Sequence, residues 1–205
     1  MESLARLKQL ALLFTVVVLA FYVSPVFAAD PTTVSVLVVY HSASGNTEKM
    51  AQGVVDGAKA VSGVNVGLKR AADVVANDLV SCDALIVGSP VYFGNMSGEV
   101  KTFFDNWGLT SKFDLFRERK MRNKIGAAFA TGGGISNGKE VTMLSILAAM
   151  LVNQMIVVGG GGAFGASATT GPDSPGIDDK ELAEARELGK RVAEVAAVYK
   201  RGPVR

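Results

Sequence analysis

The residues able to do chemistry lie in three short segments, and almost none of them titrates. Ser42-Ala43-Ser44-Gly45-Asn46-Thr47 gathers three hydroxyls, one amide and a glycine between an apolar run and a helical pattern. Pro90-Val91-Tyr92-Phe93-Gly94-Asn95 puts two aromatic residues in a turn, and Thr131-Gly132-Gly133-Gly134 offers nearly bare backbone. Hydroxyls and unpaired N–H groups at a helix start hold an anion, a phosphate above all. Aromatic rings and unobstructed backbone suit the faces and edge of a planar ligand. Each segment alone also has a purely structural reading. Thr47 could cap its own helix, Tyr92 and Phe93 could pack on Phe103 and Trp107, and the glycines could form a simple turn.

His41 is the one histidine and Cys82 the one cysteine, which excludes a multi-histidine metal site, a thiolate zinc cluster and an internal disulfide. His41 precedes the hydroxyl turn and is expected at its rim; Cys82 precedes an apolar run and is expected as a packed thiol. Asp105 and the basic run 117–124 read as solvated surface. The alternative gives Arg117, Arg119 or Lys120 a 2′-phosphate or an anionic lipid to meet. Gly160-x-Gly162-x-x-Gly165 matches a dinucleotide fingerprint by letter, but Pro172 and Pro175 follow where a helix should open. Gly133 to Glu140 approaches a P-loop, yet Glu140 stands where Ser or Thr would hold magnesium, so a nucleotide hydrolase is disfavoured.

The elements that must position these segments alternate strand and helix. Val36–Val39, Ala84–Ser89 and Ile125–Ala130 are continuous apolar runs, the pattern of strands buried on both faces. Val64–Leu68 alternates like an edge strand, and Met155–Val158 is the fifth. Helices are expected after Thr47, after Ser97 as cap, and after Asn137 with a capping box to Glu140. The last follows Asp178, with Glu181 three residues on. Their inner faces read Val100, Phe103, Phe104 and Trp107; then Val141, Leu144, Ala148 and Leu151; then Leu182, Ala185, Leu188, Val192, Val195 and Tyr199. The fold class is α/β, a doubly wound five-stranded parallel sheet of order 2-1-3-4-5 with helices on both faces. In that order the turns after strands 1, 3 and 4 are neighbours, so the three segments describe one ligand site.

The first residues stand apart. Arg6 and Lys8 precede an uncharged stretch from Leu10 to Val23, and Val26-Phe27-Ala28 offers small residues for cleavage. Residues 1–28 read as a secretory signal, cut after Ala28 or Ala29, with an uncleaved membrane anchor as the alternative. The domain, residues 34–200, is then expected outside the cytoplasm, periplasmic or secreted. Loss of residues 1–28 leaves 19 basic and 18 acidic side chains, a net charge of +1, which does not suit nucleic-acid binding. There is no internal repeat and no second domain.

At the three segments the chain resembles the flavodoxin-like NAD(P)H:quinone oxidoreductases of the tryptophan-repressor-binding-protein type. The carrying stretch is Phe93-Gly94-Asn95-Met96-Ser97-Gly98 followed by Thr102-Phe103, joined by Thr131-Gly132-Gly133-Gly134 and Phe164-Gly165-Ala166-Ser167. The resemblance runs from about Val34 to Val198. It implies FMN, with phosphate in Ser42–Thr47 and the ring between residues 91–95 and 130–135, and NAD(P)H as co-substrate. A quinone or similar planar acceptor would take two electrons from the flavin. No catalytic side chain is assigned, because the flavin performs the chemistry. Two readings compete: a one-electron flavodoxin-type carrier, which the near-neutral charge disfavours, and a non-catalytic flavin-binding module. The family's histidine pair before the fifth strand is replaced by Leu151-Val152-Asn153-Gln154, and shortened loops leave a homodimer or a monomer open in place of the family's tetramer.

Overall fold

The computed structural model describes residues 33–108, 110, 112–171 and 176–202; the expected signal segment lies outside them. In chain order the elements are β1 (Val34–Tyr40), α1 (Asn46–Lys59), β2 (Val64–Arg70), α2 (Ala76–Ser81), β3 (Ala84–Tyr92), β4 (Asn95–Met96) and α3 (Gly98–Asp105). They continue with β5 (Ile125–Gly132), α4 (Lys139–Val152), β6 (Ile156–Val157), β7 (Ala166–Thr169) and α5 (Asp179–Arg201). The sheet runs β2-β1-β3-β5-β6, all parallel, with β7 also on β5 and β4 folded back on β3.

Alternation along the central strands builds two cores, one on each side of the sheet. Val36, Val38, Ile86 and Phe129 face α1 and α5, where they meet Met50, Val54, Leu188 and Val192. Leu37, Val39, Leu85 and Val87 face the other way, toward Phe103, Trp107, Ile146 and Met150. β1, β3 and β5 are sandwiched by both layers, which is why their sequences are continuously apolar. β2 alternates half-buried and exposed residues because it forms the edge.

Four expectations change. The fifth strand is split: β6 pairs Ile125–Gly126, β7 pairs Phe129–Gly132, and the glycine-rich 158–165 segment bulges out between them. The sheet is thus the expected 2-1-3-4-5 order with its last strand in two pieces. The inner face of α4 is Met143, Ile146 and Met150, while Val141, Leu144, Ala148 and Leu151 face outward. That helix is apolar nearly all round, so periodicity could not select a side; docking on β5 does. Asn137 does not cap α4, whose first turn follows Gly138 instead. Tyr199 is half exposed at the end of α5. Cys82 is buried as expected, and burial pushes its thiol up to about 11.

Candidate functional site

All three segments lie at the carboxyl ends of β1, β3 and β5, and contacts between them tie them together. Thr47 Oγ1 and Thr131 Oγ1 are 2.8 Å apart and buried, which joins the first segment to the third. Thr47 therefore turns toward the next loop and does not cap its own helix. The ring of His41, at the end of β1, meets the edge of Tyr92 at 6.2 Å, which joins the first to the second. A Cβ on Gly138 would lie 2.9 Å from the Gly94 carbonyl oxygen, so the third loop rests directly on the second.

The first segment is an open anion cradle. The buried Ser42 Oγ accepts from Gly45 N at 3.0 Å and tightens the turn. Gly45 takes φ 87° ahead of α1 and, among the described residues, no side chain caps that helix. Ala43, Ser44 and Gly45 are exposed, and a Cβ on Gly45 would meet nothing within 4 Å. The turn that leads into α1 is thus open, at the positive end of the helix dipole. Glu48, in that same turn, is drawn aside: it accepts from the Tyr40 hydroxyl at 2.7 Å and pairs with Arg70 at 3.4 Å. Burial and this carboxylate raise the Tyr40 phenol above its usual range. No lysine or arginine lies in the cradle, so hydroxyls, amides and the dipole would bind the anion.

The second segment is a hairpin. β3 continues through Pro90 and Val91 to Tyr92, and Val91 pairs Met96 while Tyr92 pairs Asn95. Phe93 (φ 50°) and Gly94 (φ 81°) form its two-residue turn, the geometry of a type I′ turn, which favours Asn-Gly over a bulky first residue. A phenylalanine there is strained, and Phe93 is wholly exposed while Tyr92 is 42% exposed. Neither ring packs with Phe103, Phe104 or Trp107, which cluster with each other instead. Asn95 Oδ1 accepts from Met96 N at 2.7 Å. Asn95 also lines a cavity of about 710 Å³ between α3 and α4, bounded by Phe104, Trp107, Phe116 and Val152 and lying beside the loops.

In the third segment Thr131 and Gly132 end β5, buried, and Gly133 and Gly134 emerge at the surface. The Asn137 amide packs against Gly132, where a Cβ would sit 2.4 Å from it. Lys139 was missed as a site residue because the P-loop reading discarded its motif. Its buried Nζ donates to Gly134 O at 2.8 Å, Ile135 O at 3.1 Å and Thr169 Oγ1 at 2.9 Å. His41 sits at the rim as expected, with Nε2 3.6 Å from Glu99 Oε2. Arg117 and Arg119 are exposed and lie beside Val152–Gln154.

This rim suits a ligand with one anionic end and one flat, uncharged end. The family model described as NADPH-dependent FMN reductase matches residues 65–170. A protein of Archaeoglobus fulgidus called NAD(P)H dehydrogenase (quinone) is 34% identical over 195 residues, covering 78% of this chain and 96% of the relative. A protein of the same description from Geotalea daltonii is 32% identical over 201 residues, with the same coverage of 78% and 96%. Among solved structures, a WrbA-like flavodoxin from Agrobacterium tumefaciens superposes with a TM-score of 0.65 at 24% identity, covering 80% of this chain and 98% of that one. A flavodoxin from the domain Archaea does so with a TM-score of 0.62 at 28% identity, covering 79% and 98%. The chain belongs to the NADPH-dependent FMN reductase family, among the flavodoxin-like NAD(P)H:quinone oxidoreductases.

Proposed function

We propose that this protein reduces quinones by two electrons at the expense of NAD(P)H, using FMN held at the rim of β1, β3 and β5. The observation that carries the reading is the strained, fully exposed Phe93 beside an uncapped helix start. One feature needs a flat partner and the other an anion, and FMN presents both. The donor set fits: Ser42, Ser44, Asn46 and Thr47, with the N–H groups of residues 43, 44, 46 and 47, match a phosphate monoester. Pro90, Val91, Tyr92, Phe93, Gly94 and Asn95 would cover one side of the ring, and Thr131, Gly132, Gly133 and Gly134 would meet its edge. When bound, FMN supplies the redox chemistry, accepting hydride from NAD(P)H and passing two electrons to the quinone. The chain's part is to hold, orient and partly desolvate it; Tyr92 and Phe93 also offer apolar surface to the incoming acceptor.

A visible absorption spectrum of the purified protein, followed by steady-state NADH and NADPH oxidation with a soluble quinone, tests both levels. A folded sample that takes up no FMN overturns the cofactor assignment. A flavin-loaded sample that turns over no quinone overturns the enzyme and leaves a carrier.

Two further assignments belong to this proposal. Residues 1–28 act as an export signal ahead of a domain at 34–200, a reading supported by Arg6, Lys8 and the uncharged stretch Leu10–Val23. Among the described residues no helix is long and apolar enough to cross a membrane; fractionation of the native cell with mass analysis of the N-terminus distinguishes cleavage from anchoring. The outward stripe Val141, Leu144, Leu151 and Val152 supports a homodimer, which sedimentation at graded concentration tests.

A further inference from the structure

Lys139 stands where a cation is least expected. It is the first residue of α4, at the positive end of that helix's dipole, and it is 5% exposed. Among the described residues no carboxylate pairs with it. Its three protons go to two carbonyls and a hydroxyl, Gly134 O, Ile135 O and Thr169 Oγ1. The carboxylate of Glu181 accepts from the N–H groups of Thr169 and Asp178 and makes no direct ion pair with Lys139. A buried ammonium without a direct ion pair is expensive to keep, and neutral donors could have tied this loop as well.

The peptide planes show what the charge faces. C=O and N–H of one trans peptide point in opposite directions, and the described chain has no cis bond. With the carbonyls of Gly134 and Ile135 turned in to Nζ, the N–H groups of Ile135 and Ser136 point away from it. Both of those residues are exposed. The loop that borders the flat end of the site thus turns these two N–H groups away from the ammonium, which lies behind them. Such a field favours negative charge on whatever lies against the loop.

We infer that Lys139 is a positioning residue that makes the site bind reduced FMN more tightly than oxidised FMN. The inference rests on FMN occupying the rim as proposed above. Hydride from NAD(P)H carries two electrons and one proton; NAD(P)⁺ leaves, and the ring keeps a negative charge it lacked before. A positive charge close to the ring stabilises that state and raises the flavin's two-electron potential.

The test uses the full chain, reconstituted with FMN, in wild-type form and as Lys139→Gln, Lys139→Met and Lys139→Arg. Potentials are read against a reference dye, and FMN affinity is measured in both oxidation states. Lys139→Gln retains a donor for the loop carbonyls while removing the charge, so it carries the test if Lys139→Met does not fold. The expected result is near-unchanged affinity of Lys139→Gln for oxidised FMN and a tenfold loss for reduced FMN. That ratio corresponds to a midpoint about 30 mV more negative, and Lys139→Arg restores most of it. Equal loss for both oxidation states, with an unchanged potential, overturns the inference and leaves Lys139 a structural clamp. A wild-type chain that binds no FMN overturns the cofactor reading itself, and this inference with it.

Discussion

The helices that begin at the rim fall into two pairs. α3 and α5 close their own first turns. Ser97 Oγ accepts from Val100 N at 3.3 Å, and Asp178 and Glu181 form a reciprocal capping box at 2.8 and 3.1 Å. α1 and α4 start instead after glycines in the left-handed region, Gly45 at φ 87° and Gly138 at φ 96°, with no side-chain cap among the described residues. Self-capped helices spend their terminal N–H groups on their own structure, whereas open ones keep them for a ligand. The open pair follows β1 and β5, the strands whose loops share the Thr47–Thr131 contact. The two open starts also differ from each other. Gly45 faces free space, while Gly138 is pressed on Gly94 and followed by the buried Lys139.

That difference makes the largest expected effect. Gly138→Ala adds left-handed strain and a Cβ 2.9 Å from the Gly94 oxygen, so it should destabilise by roughly 2–5 kcal/mol. Gly45→Ala meets only the strain, roughly 1–2 kcal/mol. Denaturant melts of both variants check the order; equal losses would mean that the Gly138–Gly94 contact does not constrain the loop.

The next effect concerns binding. Thr47→Ala or Ser42→Ala should weaken FMN affinity by about 0.5–1.5 kcal/mol for each neutral hydrogen bond lost, or up to about 3 kcal/mol to a charged acceptor. The fold should survive. Fluorescence titration with FMN measures the loss, and an affinity unchanged in both variants would move the phosphate away from the α1 start.

How far the sequence showed this site depends on how each part is encoded. The buried strands and the caps at Ser97 and Asp178 were legible, because a two-sided apolar run and a local Asp-x-x-Glu pattern each act over a few residues. The meeting of the three loops was legible through strand order alone. The α4 face was not, since a helix apolar on every side leaves the choice to tertiary docking. Asn137 carried a cap's letters, but Gly138 took the turn with a backbone conformation that its neighbour's side chain does not announce. The split of the fifth strand depends on how 158–165 bulges against β5, a long-range matter. Lys139 was visible only as part of a motif rejected for its next residue, Glu140; its hydroxyl partner, Thr169, is thirty positions away.

The smallest effect separates the two pairs of helices most cleanly. Asp178 caps α5 through Glu181 N and follows Ile177, whose carbonyl accepts from Lys49 Nζ of α1 at 3.0 Å. Asp178→Ala removes the cap and should destabilise the domain by about 1 kcal/mol. It takes no donor from the cradle, so FMN affinity measured well below the melting temperature should match wild type. If affinity falls in step with stability, the α5 cap reaches the site through Ile177 and Lys49, and the division into closed structural helices and open binding helices fails. If stability alone falls, the division holds, because a closed helix start then contributes to the fold without touching the ligand.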